Sequence, residues 1–303
     1  MYFPITTDAE PFTQLPQALH ARGAPSEWER VTRPGMKLHS FLEGPEFDDA
    51  GNLWLVDVPN GRLFSISPDG EWRVAFSYAG EPHGLAWLGD GVFALTDYRQ
   101  GVLRFDSKTS SLETLCRGVN SESFRGLGDI ARAPDGALWF GDPGRSSLSD
   151  PTGRLFRLRP GHDKPDLVLN NVPYPNGIAI GGGGAYVYVA ATRANAIWRL
   201  MAQWPDPVHP MVGLHIQLSG GLGPDGLAVT SGGLLAVAQA QAGRVHVFDA
   251  LGDPVAKIHT RGGLWTTAVR FDAAGRWLYI TEAEHGTIYR ADMAGIPVGA
   301  DAK

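Results

Sequence analysis

The sequence of 303 residues contains a single cysteine, Cys116, and no apolar run long enough to cross a membrane. One cysteine excludes an internal disulfide, and a spanning helix needs about 20 mostly apolar residues. The start of the chain, Met1 to Gln14, lacks the basic end and the apolar stretch of a secretory signal. These absences predict a soluble protein of a reducing compartment, and we expect it to be cytoplasmic.

Clusters of lysine and arginine are also missing, and the net charge is −6 at pH 7. A protein that follows nucleic-acid phosphates or an anionic membrane surface needs clustered positive charge. The sequence therefore predicts neither a nucleic-acid partner nor a membrane partner. A negative field favours retention of a cation, and we expect the partner to be a small-molecule substrate.

Glycine and proline are abundant, with 39 and 22 copies, as turn-rich β structure requires. One short pattern recurs six times, each time followed by a turn and a β-rich run; the copies start near Gly44, Pro82, Leu127, Pro175, Pro224 and Thr267. The steps between these positions are 38, 45, 48, 49 and 43 residues. A period of about 45 residues with four short strands per unit is typical of a β-propeller. We therefore predict an all-β fold, a six-bladed β-propeller with a central axial site.

We predict that residues 1–27 form an N-terminal extension and that residues 28–303 form one propeller domain. The segment Trp28–Leu42 is interpreted as the outer strand that closes the ring at the last blade, because an open ring leaves unpaired edges. The first strand of each unit is expected to lie innermost. The second strand, such as Leu53-Trp54-Leu55-Val56, is expected to pack between blades.

Aromatic residues stand in or beside the longest connections, where propellers display specificity loops. They are Phe124, Tyr174, Trp204 and Trp265. Each could pack within a blade, and we expect one or two of them to wall a pocket. Cys116 is interpreted as an ordinary residue of a strand over 112–117.

The tripeptide Pro-Asp-Gly occurs at 68–70, 134–136 and 224–226. It is a turn signal, since proline presets φ, aspartate bonds the local backbone and glycine adopts positive φ. The first two copies fall in hairpin turns, whereas Asp225 stands at the head of an innermost strand, in register with Glu43, His83 and Asn176. A charged residue there needs a partner or a metal. Asp225 is therefore predicted to be a metal ligand or a catalytic residue, with a turn or capping role as the alternative.

Glu43 and Asn176 occupy the same point of their own repeats as Asp225. Alone, Glu43 could be a solvated carboxylate, and Asn176 could form an Asx turn before Gly177. Together, two carboxylates and an amide oxygen around one axis form an all-oxygen site suited to Ca²⁺, Mg²⁺ or Mn²⁺. Zn²⁺ is less favoured, because no cysteine or paired histidine shares the register. We predict one divalent cation on the axis.

Three phrases carry a resemblance to a known family: Leu42-Glu43-Gly44-Pro45, Pro175-Asn176-Gly177-Ile178 and Pro224-Asp225-Gly226-Leu227. From about residue 40 onward the chain resembles the senescence marker protein/gluconolactonase (regucalcin-like) family of six-bladed propellers. It is similar more distantly to diisopropyl fluorophosphatase and the paraoxonases. The resemblance implies a catalytic divalent metal, often Ca²⁺, held by Glu43, Asn176 and Asp225, and the hydrolysis of lactones or organophosphates. His83 resembles the histidine of the paraoxonase Pro-His-Gly stretch, which implies a role as base.

The chain departs from the family pattern at the fourth ligand. The family has an asparagine in a motif of the type Arg-Pro-Asn-Asp, whereas this chain reads Arg125-Gly126-Leu127-Gly128-Asp129. Gly128 has no side chain to offer, so water could take the position, Asp129 or Asp142 could reach in, or the metal could be held weakly. The family's substrate-binding arginine is also unmatched, because Arg125 lies three rather than two residues before the ligand position.

A divalent cation with open positions polarises a carbonyl group and lowers the pKa of bound water, and a nearby carboxylate or imidazole can take the proton. We therefore predict a metal-dependent hydrolase that opens a lactone or a related ester, with Asp225 or His83 as the base. His83 could instead be a hydrogen-bonded residue of the channel wall. Three other functions stay open: hydrolysis of another electrophile, such as a carbon–carbon bond next to a ketone or a phosphotriester; non-catalytic binding of a small molecule at a decayed metal site; and a protein-interaction scaffold. The scaffold is least favoured, because it needs no matched Glu, Asn and Asp at the heads of inner strands.

Overall fold

Strands dominate the computed structural model, which describes residues 4–204 and 210–297. Six antiparallel sheets follow one another along the chain. The innermost strand of each sheet contacts the innermost strand of the next, and that of the sixth sheet contacts that of the first. This cyclic contact confirms the prediction of an all-β, six-bladed propeller.

The N-terminal segment holds β1 (Ile5–Asp8), β2 (Glu10–Gln14) and α1 (Glu27–Thr32). Blade 1 consists of β3 (Leu42–Phe47), β4 (Leu53–Asp57), β5 (Arg62–Ile66) and β6 (Trp72–Ser77), and blade 2 of β7 (Pro82–Gly89), β8 (Val92–Asp97), β9 (Gly101–Asp106) and β10 (Ser111–Cys116). A small hairpin follows, with β11 (Gly118–Val119) and β12 (Glu122–Ser123). Blade 3 consists of β13 (Ile130–Arg132), β14 (Leu138–Asp142), β15 (Gly153–Leu158) and β16 (Asp166–Val172).

Blade 4 consists of β17 (Pro175–Gly181), β18 (Tyr186–Ala191), β19 (Ala196–Met201) and β20 (Val212–Gln217). Blade 5 consists of β21 (Gly223–Val229), β22 (Leu235–Ala240), β23 (Arg244–Phe248) and β24 (Pro254–His259), and blade 6 of β25 (Thr266–Phe271), β26 (Trp277–Glu282) and β27 (Thr287–Asp292). Short 3-10 turns occur at Gln17–Leu19, Val58–Asn60, Gly182–Gly184 and Thr192–Ala194. No helix in the described part of the chain has the length and hydrophobicity needed to span a bilayer.

The ring is closed by β2, which pairs antiparallel with β27 and supplies the outer strand of blade 6. β1 pairs parallel with β24 at the edge of blade 5. The prediction that Trp28–Leu42 is the closing strand is wrong, because this segment begins with the helix α1. A capping box starts that helix: Ser26 Oγ accepts from the Glu29 N–H at 3.2 Å, and Glu29 Oε2 accepts from the Ser26 N–H at 2.7 Å.

The core lies between neighbouring blades, as β4 illustrates. Trp54 and Val56 point towards blade 2, whereas Leu53 and Leu55 pack on the other side with Ile288 of blade 6. This alternation follows from the two-residue period of a strand. The prediction that the second strand packs between blades is therefore confirmed, and both of its faces are apolar because both are covered.

The innermost strands crowd the axis and are bent at their heads. Irregularities in strand pairing fall at or beside the predicted site residues, between Glu43 and Glu46, Pro82 and Gly84, Pro175 and Ile178, and Pro224 and Leu227. A β-bulge redirects a side chain out of the regular alternation. Sterics explain why a glycine follows each site residue, as Gly177 shows. A Cβ at Gly177 would lie 2.1 Å from the Asp225 carbonyl oxygen, so no larger residue fits there. The repeated residue–glycine pairs thus allow side chains from separate blades to meet on the axis.

Candidate functional site

The side chains of Glu43, Asn176 and Asp225 line one small cavity on the axis, together with His83 and Asp129. Each stands at the head of a different blade. The cavity has a volume of about 30 Å³, which is space for roughly two water molecules. The structure therefore brings all four predicted site residues together, in a space that fits an ion and excludes the body of a sugar-sized molecule.

Three carboxyl groups, those of Glu43, Asp129 and Asp225, line this cavity. The pKa of Asp225 is raised well above its usual range, chiefly by burial, and the positive charge of Arg33 opposes the shift. Burial also raises the pKa of Glu43 strongly, with the charges of Asp225 and Asp129 adding to the shift. Burial raises the pKa of Asp129 to about 6. Carboxylates shifted upward by burial and by one another are those that a cation stabilises most.

Asn176 is oriented by its neighbour. Its Nδ2 group donates a hydrogen bond to Oδ1 of Asp225. The amide nitrogen thus faces Asp225, and the amide oxygen is left for another partner. Asn176 can therefore present an oxygen ligand while it holds Asp225 in place.

His83 sits beside these oxygens with a defined tautomer. Its Nδ1 lies 3.1 Å from the carbonyl oxygen of Glu81. A carbonyl oxygen only accepts, so Nδ1 carries the proton and the lone pair lies on Nε2. Burial lowers the pKa of His83 to about 4, which keeps the ring neutral at neutral pH and makes it a weaker base than a solvated histidine. The ring packs near Trp28 and Tyr98, with centroid distances of 6.0 and 5.6 Å.

Of the residues near Gly128, Asp129 lines the cavity and Asp142 does not. Asp142 Oδ1 accepts from the N–H groups of Arg125 and Gly126 at 2.8 and 2.9 Å, and its other oxygen pairs with Arg154. Asp142 thus holds the loop at Arg125 and Gly126 in place, and both of its oxygens are used in doing so. Asp129 accepts backbone bonds from Ile130 and Ile178, which fix its carboxylate between blades 3 and 4.

An ion pair between Arg270 and Glu46 lies next to the axial cavity. Arg270 lines the axial cavity and pairs with the buried carboxylate of Glu46, three residues along the strand from Glu43. Arg270 and Glu46 also line a wider cavity of about 800 Å³. Both cavities are lined by Ile178, Leu227 and Arg270, and the wider one lies on the side of the ring where the innermost strands end. The opposite face, where these strands begin, is called the entrance below.

Arg33 stands near the entrance and was not anticipated, because the segment 28–42 was assigned to an outer strand. Its guanidinium carbon lies 3.7 Å from the ring centroid of Trp265 and 4.7 Å from that of Phe41. The charges of Asp225 and Glu43 oppose the lowering of its pKa by burial. The capping box Ser26–Glu29 followed by Arg33-Pro34-Gly35 was the available signal for a helix that ends at this point.

Of the four aromatic residues singled out from the sequence, three pack against core clusters, and none lines the axial or the wider cavity. Phe124 packs against Phe140 and Phe156, with centroid distances of 5.5 and 5.3 Å, and Trp204 packs against a core cluster of blades 3 and 4. Tyr174 lies beside Arg193, whose guanidinium carbon is 5.6 Å from its ring centroid, and Trp265 packs against the cluster of Trp28, Phe41, Val58 and Ala283. Tyr174 has a φ of 65°, a left-handed conformation that is strained for a bulky residue. Cys116 is buried at the end of β10, as an ordinary strand residue.

A second acidic group lies at the end of β26. Among the described residues, Glu282, Glu284 and His285 form the one set of three His, Cys, Asp or Glu side chains whose ligand atoms all lie within 4.8 Å of one another. Both oxygens of Glu282 already accept backbone bonds, from Glu284 and His285. Glu282 therefore stabilises the loop after β26 through these two backbone bonds.

The axial donor set fits a hard divalent cation. It offers the carboxylates of Glu43 and Asp225 and the free amide oxygen of Asn176, and oxygen donors of this kind suit Ca²⁺ and Mg²⁺. Glu43, Asp129 and Asp225 do not have their ligand oxygens all within 4.8 Å of one another. Of the positions considered for the missing fourth ligand, Asp142 is excluded by its own bonds, and Asp129 lines the cavity.

Residues 41–284 match a family model described as the SMP-30/gluconolactonase/LRE-like region. Among curated proteins, the chain is 25% identical over 240 residues to lactonase drp35 of Staphylococcus aureus strain MRSA252, covering 76% of this chain and 72% of that protein. It is 26% identical over 240 residues to lactonase drp35 of Staphylococcus epidermidis strain ATCC 12228, with the same coverage.

Two solved structures show the same fold. A gluconolactonase from Xanthomonas campestris has a TM-score of 0.74 at 22% identity, covering 95% of this chain and 97% of that chain. A calcium-binding protein, regucalcin, from Agrobacterium tumefaciens has a TM-score of 0.74 at 19% identity, covering 98% and 96%. Similarity at these identities concerns the fold, so the chemistry of this chain has to be argued from its own residues.

Proposed function

The chain belongs to the SMP-30/gluconolactonase/LRE-like family, and we propose that it is a divalent-metal-dependent hydrolase that opens a small-molecule lactone or a related ester. The observation that carries the proposal is the meeting of Glu43, Asn176 and Asp225 at one small cavity on the propeller axis. The lactonases among its relatives support a lactone hydrolase as the general activity. The calcium-binding regucalcin supports Ca²⁺ as the first cation to test.

In this proposal Glu43, Asn176 and Asp225 hold the cation. When bound, it polarises the substrate carbonyl, stabilises the oxyanion that forms and acidifies a water molecule. The upward-shifted pKa values of Glu43 and Asp225 mean that protons leave these carboxylates when the cation binds. The carboxylate–amide bond between Asp225 and Asn176 keeps two ligands in one orientation.

The proton of the attacking water goes to a residue of this chain, and His83 and Asp225 are the two candidates. The lone pair of His83 is on Nε2, since Nδ1–H is held by the Glu81 carbonyl oxygen. Water adds to the carbonyl carbon, the ring carbon–oxygen bond breaks, and the ring oxygen takes a proton to give a hydroxy acid. General-base assistance of this kind contributes roughly 10²–10⁴ in rate.

The test is metal analysis of the purified protein together with a hydrolysis panel of lactones, carboxylic esters and a phosphotriester. We expect about one equivalent of a divalent cation per chain and turnover of lactones that stops on chelation and returns with Ca²⁺. Cleavage of the phosphotriester alone would assign another electrophile. A protein that binds no divalent ion in calorimetric titration, with Ca²⁺, Mg²⁺, Mn²⁺ and Zn²⁺ each tried, would be a non-catalytic binding propeller, the alternative that Gly128 favours.

A further inference from the structure

Arg33 lies among the aromatic rings of Trp28, Phe41 and Trp265, beside His83 of the axial cavity. The guanidinium carbon of Arg33 lies at stacking distance from Trp265, 3.7 Å from its ring centroid, with Trp28 at 5.7 Å. An aromatic ring covers one face of a guanidinium and leaves the N–H groups, which lie in its plane, to find acceptors elsewhere. The stacking thus holds the Arg33 fork in place without using its donors.

Those donors are barely used within the protein. In the described part of the chain, Arg33 makes one side-chain hydrogen bond, from Nη1 to the carbonyl oxygen of Thr32 at 3.3 Å. Its Nε is buried and has no hydrogen-bond partner among residues 4–204 and 210–297. A buried donor left without a partner costs about 1–3 kcal/mol.

Two further arginines stand nearby without ion-pair partners among the described residues. The guanidinium carbon of Arg193 lies 5.6 Å from the ring centroid of Tyr174, and the charge of Arg193 acts on Arg33. Arg145 lies near Tyr98, the ring that packs beside His83. Three cations at one entrance are notable in a protein of net charge −6.

We propose that Arg33 is a specificity-determining residue that binds an anionic group of the substrate, a carboxylate or a phosphate, so that the substrates are acidic lactones. This inference rests on the proposed lactone hydrolysis and names its substrate class. The axial cavity admits little more than an ion and its water, so the body of the substrate lies at the entrance, beside Arg33. A planar guanidinium matches the two oxygens of a carboxylate or phosphate. One molecule can thus place its carbonyl group at the axis and its anion on Arg33.

The kinetic test compares two lactones that differ by one group. The γ-lactone of glucaric acid carries a carboxylate where the γ-lactone of gluconic acid carries a hydroxymethyl group. We expect wild type to prefer the acidic lactone in kcat/KM. The preference should fall about tenfold or more in Arg33→Gln, since a charge-assisted hydrogen bond is lost, with Arg33→Lys in between because it keeps the charge but not the fork.

Arg30→Gln is the matched control, because it makes the same charge change on an exposed residue of α1. We expect both lactones to be hydrolysed by this variant as by wild type. Circular dichroism melting of every variant separates loss of binding from loss of fold. A folded Arg33→Gln protein with the wild-type preference, or with equal losses on both lactones, overturns the inference.

A binding test needs no turnover. Gluconate, glucarate and gluconate phosphorylated at its terminal carbon are titrated calorimetrically into metal-loaded wild type and Arg33→Gln. We expect glucarate or the phosphorylated acid to bind at least about tenfold more tightly than gluconate, through Arg33; the tighter of the two identifies the anion. Arg33-dependent binding without hydrolysis of any lactone would refute the proposed function alone. Hydrolysis without any preference for acidic ligands would refute this inference alone.

Discussion

Asn176 donates a hydrogen bond to Asp225 from the head of the neighbouring innermost strand, across 49 residues of sequence. The bond joins blades 4 and 5 at the axis. The bond uses the amide nitrogen of Asn176 and leaves its amide oxygen available as a ligand for a cation. Two residues that look like separate turn signals in the sequence therefore act as one unit in the fold.

Asp225→Asn should leave the fold intact and reduce lactone hydrolysis by at least about a hundredfold, comparable to the loss of one stabilising group in a preorganised site. The change removes a ligand charge and a candidate base while it conserves shape. Turnover and circular dichroism of the same sample decide the matter. Asp90→Asn, at an exposed aspartate paired with Lys108, is the control. Undiminished turnover in Asp225→Asn would place the active centre elsewhere.

Gly128→Asn should tighten binding of the divalent cation by about tenfold, or ~1.4 kcal/mol, by restoring the amide that the family has at this position. The substitution is sterically feasible. A Cβ at Gly128 would meet Pro143 at 3.4 Å and the Pro175 carbonyl oxygen at 3.6 Å, and the backbone φ is not in the left-handed region. Calorimetric titration measures the effect. Activity on the protein's own substrate should fall, because the amide takes up space at the site.

Gly128→Ala separates the two parts of that prediction, because it adds the Cβ without the amide. We expect Gly128→Ala to bind the cation as wild type does. A gain of affinity in both variants would mean that rigidity of the backbone, and not a new ligand, is responsible.

His83→Gln should lower kcat by roughly 10²–10⁴ if His83 is the base, and should leave kcat near wild type if Asp225 is. The neutral state of His83 adds a second signature. Because burial lowers its pKa to about 4, kcat at saturating metal should show no inflection at the ordinary histidine pKa of about 6.5. A wild-type inflection there that disappears in His83→Gln would show that the ring is far better solvated than this structure places it.

Metal-free protein should lose stability as the pH rises, and the cation should restore it. The folded-state pKa values of Glu43, Asp129 and Asp225 are raised, so the native state binds more protons than the unfolded state above about pH 4. The contribution of these groups to the free energy of unfolding therefore falls as pH increases through the folded-state values. We expect Ca²⁺ to raise the melting temperature more at pH 8 than at pH 5, measured calorimetrically. An equal gain at both pH values would contradict a carboxylate site.

The repeats determined most of the fold, because they are local. Each unit carries its own turn residues and its own alternation, as in Leu53-Trp54-Leu55-Val56, and a blade forms from strands that are adjacent in sequence. The same regularity placed Glu43, Asn176 and Asp225 in one register. Residues in one register of a closed ring must share its axis, so their meeting could be deduced before any distance was known.

Only the tertiary structure decided how the ring closes and what lies over its entrance. The pairing of Glu10 with Arg290 joins opposite ends of the chain, and an outer strand has no local signal that names its distant partner. Arg33 follows α1, and its stacking on Trp265 joins the N-terminal segment to the start of blade 6. Asp142 is a candidate metal ligand in the sequence, but in the structure its carboxylate pairs with Arg154 and accepts from the Arg125 N–H. Local periodicity determines the blades, whereas contacts between distant segments determine which charges remain free to act.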